Sequence, residues 1–189
     1  MFANADIANP DVRLWDVSSV TSMISMFNDT GLANPDVRLW DVSSATSMIS
    51  MFANADIANP DVRLWDVSNV TSMQSLFDGA VVANPDVSLW DVSNVAVMAF
   101  VFRDSGITNP DLSNWDISNV NSMDGMFEGV TLSTEVYDQL LNDLSTKERR
   151  SNIEFGGGNS TYCNDTARND LIDSTGWTIN DGGLDPNCP

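Results

Sequence analysis

The sequence predicts a repeat solenoid in which short parallel β-strands and helical or 3-10 turns stack from one repeat to the next, closed by a small α+β cap. Two observations predict it. A block built around Trp-Asp recurs every 25 residues without an insertion, and this pattern stops near residue 128. A fixed period of about 20–50 residues is typical of stacked repeats, each of which buries its apolar face against its neighbours. We therefore predict five repeats over residues 1–128 and a capping segment over residues 129–189.

Each repeat begins with a turn signal, which is Asn9-Pro10-Asp11 in the first repeat. Proline fixes its own φ and disfavours the helical conformation in the residue before it. Apolar and polar residues then alternate over residues 12–17, with Leu14 or Trp15 pointing inward. This alternation predicts a short strand.

The second half of each repeat turns a corner and passes through the core again. After the corner at Ser18-Ser19, residues 20–23 predict a second short strand, and residues 24–27 predict a helical or 3-10 turn. Apolar residues that recur at the repeat period are expected to form the core. The expected core columns are Trp15, Trp40, Trp65, Trp90 and Trp115, and Phe27, Phe52, Phe77, Phe102 and Phe127.

The capping segment has the pattern of two helices and short strands. Ser133-Thr134-Glu135 is a helix start, because a hydroxyl caps the helix and an acidic residue occupies its first turn. A helix is expected from there to about Lys147, and a second one over residues 166–173, with strands over residues 153–155 and 176–179.

Cys163 and Cys188 are the only cysteines, and both lie in the capping segment. A pair confined to an Asn- and Gly-rich end favours a disulfide formed in an oxidising compartment. Two unrelated free thiols are the alternative.

Composition excludes several classes of function. The net charge is −19, from 27 acidic and 8 basic residues. Nucleic acid is therefore not an expected partner, because phosphate binding needs clustered Lys and Arg. No apolar run approaches the roughly 18 residues of a membrane span, so membrane insertion is not expected either. Histidine is absent, and no nucleophile–base pair or phosphate-binding loop is present, so we expect no enzymatic activity and no cofactor.

One aspartate recurs unchanged in every repeat, two residues before a serine. Stacked carboxylates repel one another, so something must stabilise them. The first interpretation is that each carboxylate accepts a backbone N–H bond at the corner. The second is a calcium ion held between repeats by carboxylate and carbonyl oxygens. The candidates for metal binding are Asp16, Asp41, Asp66, Asp91 and Asp116.

The repeat resembles a known family. The run from Trp65 to Met73, Trp-Asp-Val-Ser-Asn-Val-Thr-Ser-Met, followed by Leu76-Phe77, is similar to the repeat of the BspA-like surface proteins, a leucine-rich-repeat-related group. The resemblance covers residues 1–127 and recurs five times, and the segment around 155–183 is similar to the one that follows such repeats. It implies a leucine-rich-repeat-like fold, a secreted or cell-surface location and an adhesion or binding role, with no catalytic residues.

The sequence thus predicts a non-enzymatic extracellular or cell-surface protein that presents a regular face to a protein or carbohydrate partner. A second hypothesis is a structural subunit. The chain opens at Met1-Phe2, inside a repeat, and an uncovered N-terminal coil invites pairing with a second copy. A third hypothesis is an adhesin stabilised by calcium at the aspartates.

Overall fold

The computed structural model describes residues 2–5 and 10–188. Helix α1 spans Thr134–Ser145, strand β1 spans Glu154–Gly156, helix α2 spans Asp165–Thr175 and strand β2 spans Thr178–Asn180. The two strands pair in parallel, with Phe155 opposite Ile179. All four elements lie after the repeats.

The predicted fold class, a solenoid of short stacked parallel β-strands, is wrong. Before Thr134 the described residues form turns and isolated bridges but no strand and no helix. Two tight turns replace the strand expected over residues 12–17: the Trp15 N–H donates to the Val12 carbonyl at 3.0 Å, and the Val20 N–H donates to the Val17 carbonyl at 2.8 Å. The alternation of residue types therefore reflects turn tips and turn bases, not the two faces of a strand.

The second expected strand is reduced to one bridging residue per repeat. The parallel bridges follow the repeat period and join Ser22 to Ser47, Ser47 to Ser72, Ser72 to Val97 and Val97 to Ser122. The helical turn expected over residues 24–27 is also wrong, because Ser25 has a φ of 53°. A left-handed residue interrupts a right-handed helix after a single turn. The same conformation recurs at Ser50, Ser75, Phe100 and Gly125.

Another left-handed position recurs with the repeat and explains a sequence choice. The residues there are all asparagine, aspartate or glycine, the types that tolerate this conformation best. They are Asn4, Asp29, Asn54, Gly79, Asp104 and Gly129. At Gly79 a Cβ atom would lie only 2.2 Å from Oδ1 of Asn54, so glycine is needed there for space as well as for its φ of 69°.

Backbone hydrogen bonds join successive repeats although no strand forms. The Met23 N–H donates to the Ser47 carbonyl at 2.9 Å, and the Phe27 N–H donates to the Met51 carbonyl at 2.8 Å. Equivalent bonds recur along the repeats, so each repeat lies in register on the next. This arrangement satisfies backbone groups that would otherwise be buried without partners.

Aromatic side chains stack from repeat to repeat in the core. The rings of Phe27 and Phe52 stack with centroids 5.5 Å apart, and those of Phe52 and Phe77 with centroids 5.6 Å apart. All five phenylalanines of the expected column are fully buried, as are four of the tryptophans, while Trp15 is half-buried. The core therefore runs through all the repeats as one cluster.

The capping segment covers the last repeat. The Phe127 N–H donates to the Gly156 carbonyl at 2.9 Å, and the Phe155 ring meets Phe127 edge-on at 6.2 Å. Helix α1 is capped by the Ser133 side chain and buries the face that comprises Tyr137, Leu140, Leu141 and Leu144. The apolar core thus continues from the repeats into the segment.

A buried polar network and a disulfide fix the end of the chain. The Asp181 carboxylate accepts the Tyr137 hydroxyl at 2.9 Å and the Arg168 guanidinium at 2.9 Å. Burial, and then the charge of Asp181, raise the pKa of Tyr137 far above its usual value. A disulfide joins Cys163 to Cys188.

The phenylalanine stack allows a matched test of the core. We expect Phe77→Ala to lower the free energy of unfolding by about 3–5 kcal/mol, because it opens a cavity between the rings of Phe52 and Phe102. Leu64→Ala is the control: this side chain is 79% exposed, and its loss should change stability by less than about 0.5 kcal/mol. Urea denaturation followed by tryptophan fluorescence measures both. Equal effects of the two substitutions would contradict the core assignment.

The disulfide should stabilise the capping segment. It closes a loop with a sequence separation of 25, for which the chain-entropy model gives about 3.5 kcal/mol. We expect the Cys163→Ser, Cys188→Ser double variant to lose stability of this order in urea denaturation. A reducing agent should lower the stability of the native chain and leave the variant unchanged. A native chain insensitive to reduction would show that the bond adds nothing.

Candidate binding surface

Exposed leucines lie in register at one turn tip of each of the first four repeats. In the first repeat, Arg13 and Leu14 are the central residues of the turn that the bond from Trp15 to Val12 closes. Leu14 is 94% exposed, and its equivalents Leu39, Leu64 and Leu89 are 76%, 79% and 55% exposed. We call these four residues the leucine column.

The turn does not require leucine at this position. The fifth repeat carries Asn114 there, and its turn is closed in the same way, by the bond from the Trp115 N–H to the Leu112 carbonyl at 3.0 Å. The Asn114 side chain donates to the Ser88 carbonyl at 3.2 Å. Because a polar residue serves the same turn, packing does not explain the exposed leucines of the other four repeats.

The recurring aspartates line the next corner. The Asp16 carboxylate accepts the Ser18 hydroxyl at 2.6 Å and the Ser18 N–H at 3.1 Å, and Asp41 makes the same two bonds to Ser43. These are the corner bonds of the first interpretation. The hydroxyl bond, followed by the backbone bond, lowers the pKa of Asp16 and Asp41. We call the set the aspartate column; it comprises Asp16, Asp41, Asp66, Asp91 and Asp116.

The described part of the chain contains no preformed calcium site. No group of three or more acidic or cysteine side chains comes together there in a way that could hold a metal ion. Asp16 and Asp41 both point one oxygen at a serine, which leaves the other oxygen toward solvent. Calcium binding by the aspartate column stays a prediction.

Arginines flank the leucine column in the first three repeats, and each is paired locally. Arg13 binds Asp11 at 2.8 Å, Arg38 binds Asp36 at 3.3 Å, and Arg63 binds Asp86 at 3.3 Å. The guanidinium hydrogen bond lowers the pKa of Asp11 to about 2. All of these side chains are more than a third exposed, so the pairs contribute little to stability.

A shallow groove lies between the leucine and aspartate columns at the third and fourth repeats. Its volume is about 290 Å³, and Arg63 is among the residues that line it. Trp65 and Val67 lie between the two columns and are 4% and 1% exposed, so they form the floor. The walls are formed by Leu64 and Leu89 on one side and by Asp66 and Asp91 on the other.

The residues singled out by the sequence lie in three different parts of the structure. The tryptophan and phenylalanine columns are core, the aspartate column is surface, and the cysteines are bonded to each other. Sequence reasoning placed the tryptophans in the core but did not assign the neighbouring leucines to the surface, and so missed the leucine column. The signal that could have found it is the polar Asn114 at the leucine position of the fifth repeat.

Two further expectations meet the structure only in part. Neither described helix is long and apolar enough to cross a membrane. The proposed pairing of N-terminal coils falls partly on Met1, which lies outside the described residues, as do Ile7 and Asn9. Phe2 is described, and its ring stacks on Phe27 with centroids 5.8 Å apart.

The fold and this surface define a class of protein: a chain of in-register repeats that buries an aromatic core and exposes an apolar column. A family model described as "Mycoplasma protein of unknown function, DUF285" matches residues 1–81 and 55–155, and the chain belongs to this family. No curated protein and no solved structure matches the chain. The disulfide indicates a location outside the reducing cytoplasm.

The corner aspartates predict a specific dependence of stability on pH. Asp16 and Asp41 have a pKa below 3.8 in the folded chain, so they bind fewer protons folded than unfolded. Their contribution is therefore present above about pH 4 and is lost as the pH falls through the lowered pKa. We expect the unfolding temperature to fall between pH 5 and pH 2, by less in an Asp16→Asn, Asp41→Asn variant than in the native chain. Parallel curves for the two proteins would contradict this account.

Proposed function

We propose that this chain is a non-enzymatic binding protein that acts outside the cell or at its surface by presenting the leucine column to a partner. The observation that carries this proposal is that four leucines, spaced at the repeat period, are exposed at a turn that forms with asparagine in the fifth repeat. Single exposed leucines are ordinary on protein surfaces, but apolar side chains grouped along one face are typical of interaction sites.

Two observations support a location outside the cell. The bond between Cys163 and Cys188 is of the kind that persists in oxidising compartments. The repeat around Trp65 resembles that of BspA-like surface proteins, for which adhesion and binding roles are expected. A location at the cell surface accounts for both the disulfide and the resemblance.

The chemistry of the face favours a protein partner over a carbohydrate. Leucine is aliphatic, and it gains free energy by contact with other apolar surface. The aromatic side chains of the repeats are mostly buried, and the groove floor at Trp65 is 4% exposed. We propose no catalytic role, because the buried Tyr137–Asp181–Arg168 network is engaged in holding the capping segment together.

A bead-adhesion assay tests the proposed function. Beads coated with the native chain would be passed over a panel of immobilised extracellular proteins and polysaccharides, and their retention compared with that of a variant carrying serine at all four positions of the leucine column. We expect native beads to be retained on at least one protein surface and variant beads to be lost at least tenfold more readily, since exposed leucines contribute to contact and little to stability.

The matched control is Leu32→Ser, at a leucine that is 51% exposed but lies outside the column. This variant should be retained as well as the native chain. Retention of the four-serine variant at the native level would show that the leucine column is not the binding face. Native beads that are retained on no surface would contradict an adhesion role altogether.

A further inference from the structure

We propose that the groove between the leucine and aspartate columns binds an extended segment of another protein in which apolar residues alternate with Lys or Arg. This inference rests on the proposed function and names the chemistry of the partner. Two features of the groove carry it: two unlike walls and a row of carboxylates that form no salt bridge.

The two walls of the groove offer different chemistry. Leu64 and Leu89 form an apolar wall, and Asp66 and Asp91 form an anionic wall. Arg63 also lines the groove, and its guanidinium is paired with Asp86 at 3.3 Å. In an extended chain, successive side chains point to opposite sides. A chain that lies along the groove would therefore direct one set of side chains to leucine and the alternate set to aspartate. Apolar residues alternating with cationic ones match this order.

The aspartate column forms no salt bridge of its own in the described part of the chain, and only Asp116 feels a nearby cation, the ammonium of Lys147. Among the described residues, no salt bridge joins Asp16, Asp41, Asp66, Asp91 or Asp116 to a basic side chain. The carboxylates also repel one another, since Asp16 opposes the lowering of the pKa of Asp41. With a net charge of −19, the whole chain attracts a cationic partner and repels an anionic one.

A second copy of this chain fits the groove less well. Its acidic surface would meet an acidic surface, and the arginines that flank its leucine column are already paired, as Arg13 is with Asp11 and Arg63 is with Asp86. The partner that brings unpaired positive charge is therefore a different, basic protein.

Fluorescence anisotropy with three labelled nine-residue peptides tests the proposal. The first alternates lysine and valine, the second has the same residues in two blocks, and the third alternates glutamate and valine. We expect the alternating lysine peptide to bind the native chain at least tenfold more tightly than the block peptide, because only alternation serves both walls. The glutamate peptide should not bind measurably at about 150 mM salt.

Variants of the chain separate the two walls. Leu64→Ser with Leu89→Ser should weaken binding of the alternating peptide about tenfold without changing the charge of the protein. Asp66→Asn with Asp91→Asn should weaken it by a similar factor and reduce its dependence on salt, while the amide oxygens still accept the corner bonds. Leu32→Ser should bind like the native chain. Unchanged unfolding temperatures would show that the variants remain folded.

Two results would overturn the proposal. If the block peptide binds as tightly as the alternating one and the leucine variant binds normally, the attraction is a general one between a cation and an acidic surface. If sedimentation shows a native dimer that the leucine variant disperses, the groove is an interface between copies. Bead adhesion that needs the leucines, together with no binding of the alternating peptide, would reject this inference and leave the proposed function standing.

Discussion

The carbonyl of Val12 accepts two hydrogen bonds, and the regularity of the surface depends on this arrangement. The Trp15 N–H closes the turn onto it at 3.0 Å, and the indole of Trp40, in the next repeat, donates to it at 2.9 Å. The same pair of bonds meets at Val37, Val62 and Val87. Each turn tip is therefore fixed by the core of the following repeat, and this is why the leucines at the tips project in register.

The failure of the strand prediction has the same local origin. Residues 12–17 alternate apolar and polar types, which is the pattern of a half-buried strand. However, Asp16 draws the N–H of Ser18 into a corner at 3.1 Å, and Asp11 does the same to Arg13 at 3.3 Å. Such side-chain bonds compete with a strand ladder, because they bend the backbone every few residues. Asp and Ser at this spacing signal a corner more strongly than alternation signals a strand.

Much of the core was predictable, since the Trp and Phe columns recur with the repeat period. The exposure of the neighbouring leucines was not, because Leu14 recurs with the same period as Trp15 in four repeats. The indole N–H draws the tryptophan inward, because it needs a buried acceptor that leucine cannot use. The conformation of Phe100 was not predictable either, because the other repeats have Ser or Gly at that position. Phe100 has a left-handed φ of 60°, and the Arg103 guanidinium lies 4.5 Å from the centre of its ring.

Different residues build the core and the exposed surface within each repeat, and both grow with the number of repeats. One repeat adds a Phe and a Trp to the core, and it adds an exposed leucine and a corner aspartate to the surface. In repeat proteins stability grows with the number of neighbouring contacts, and an in-register face gains contacts with the same number. The fifth repeat ends this gain, because Asn114 replaces leucine where Lys147 of the capping segment reaches the Ser113 carbonyl at 2.6 Å. The length of the leucine column is thus set by where the capping segment begins.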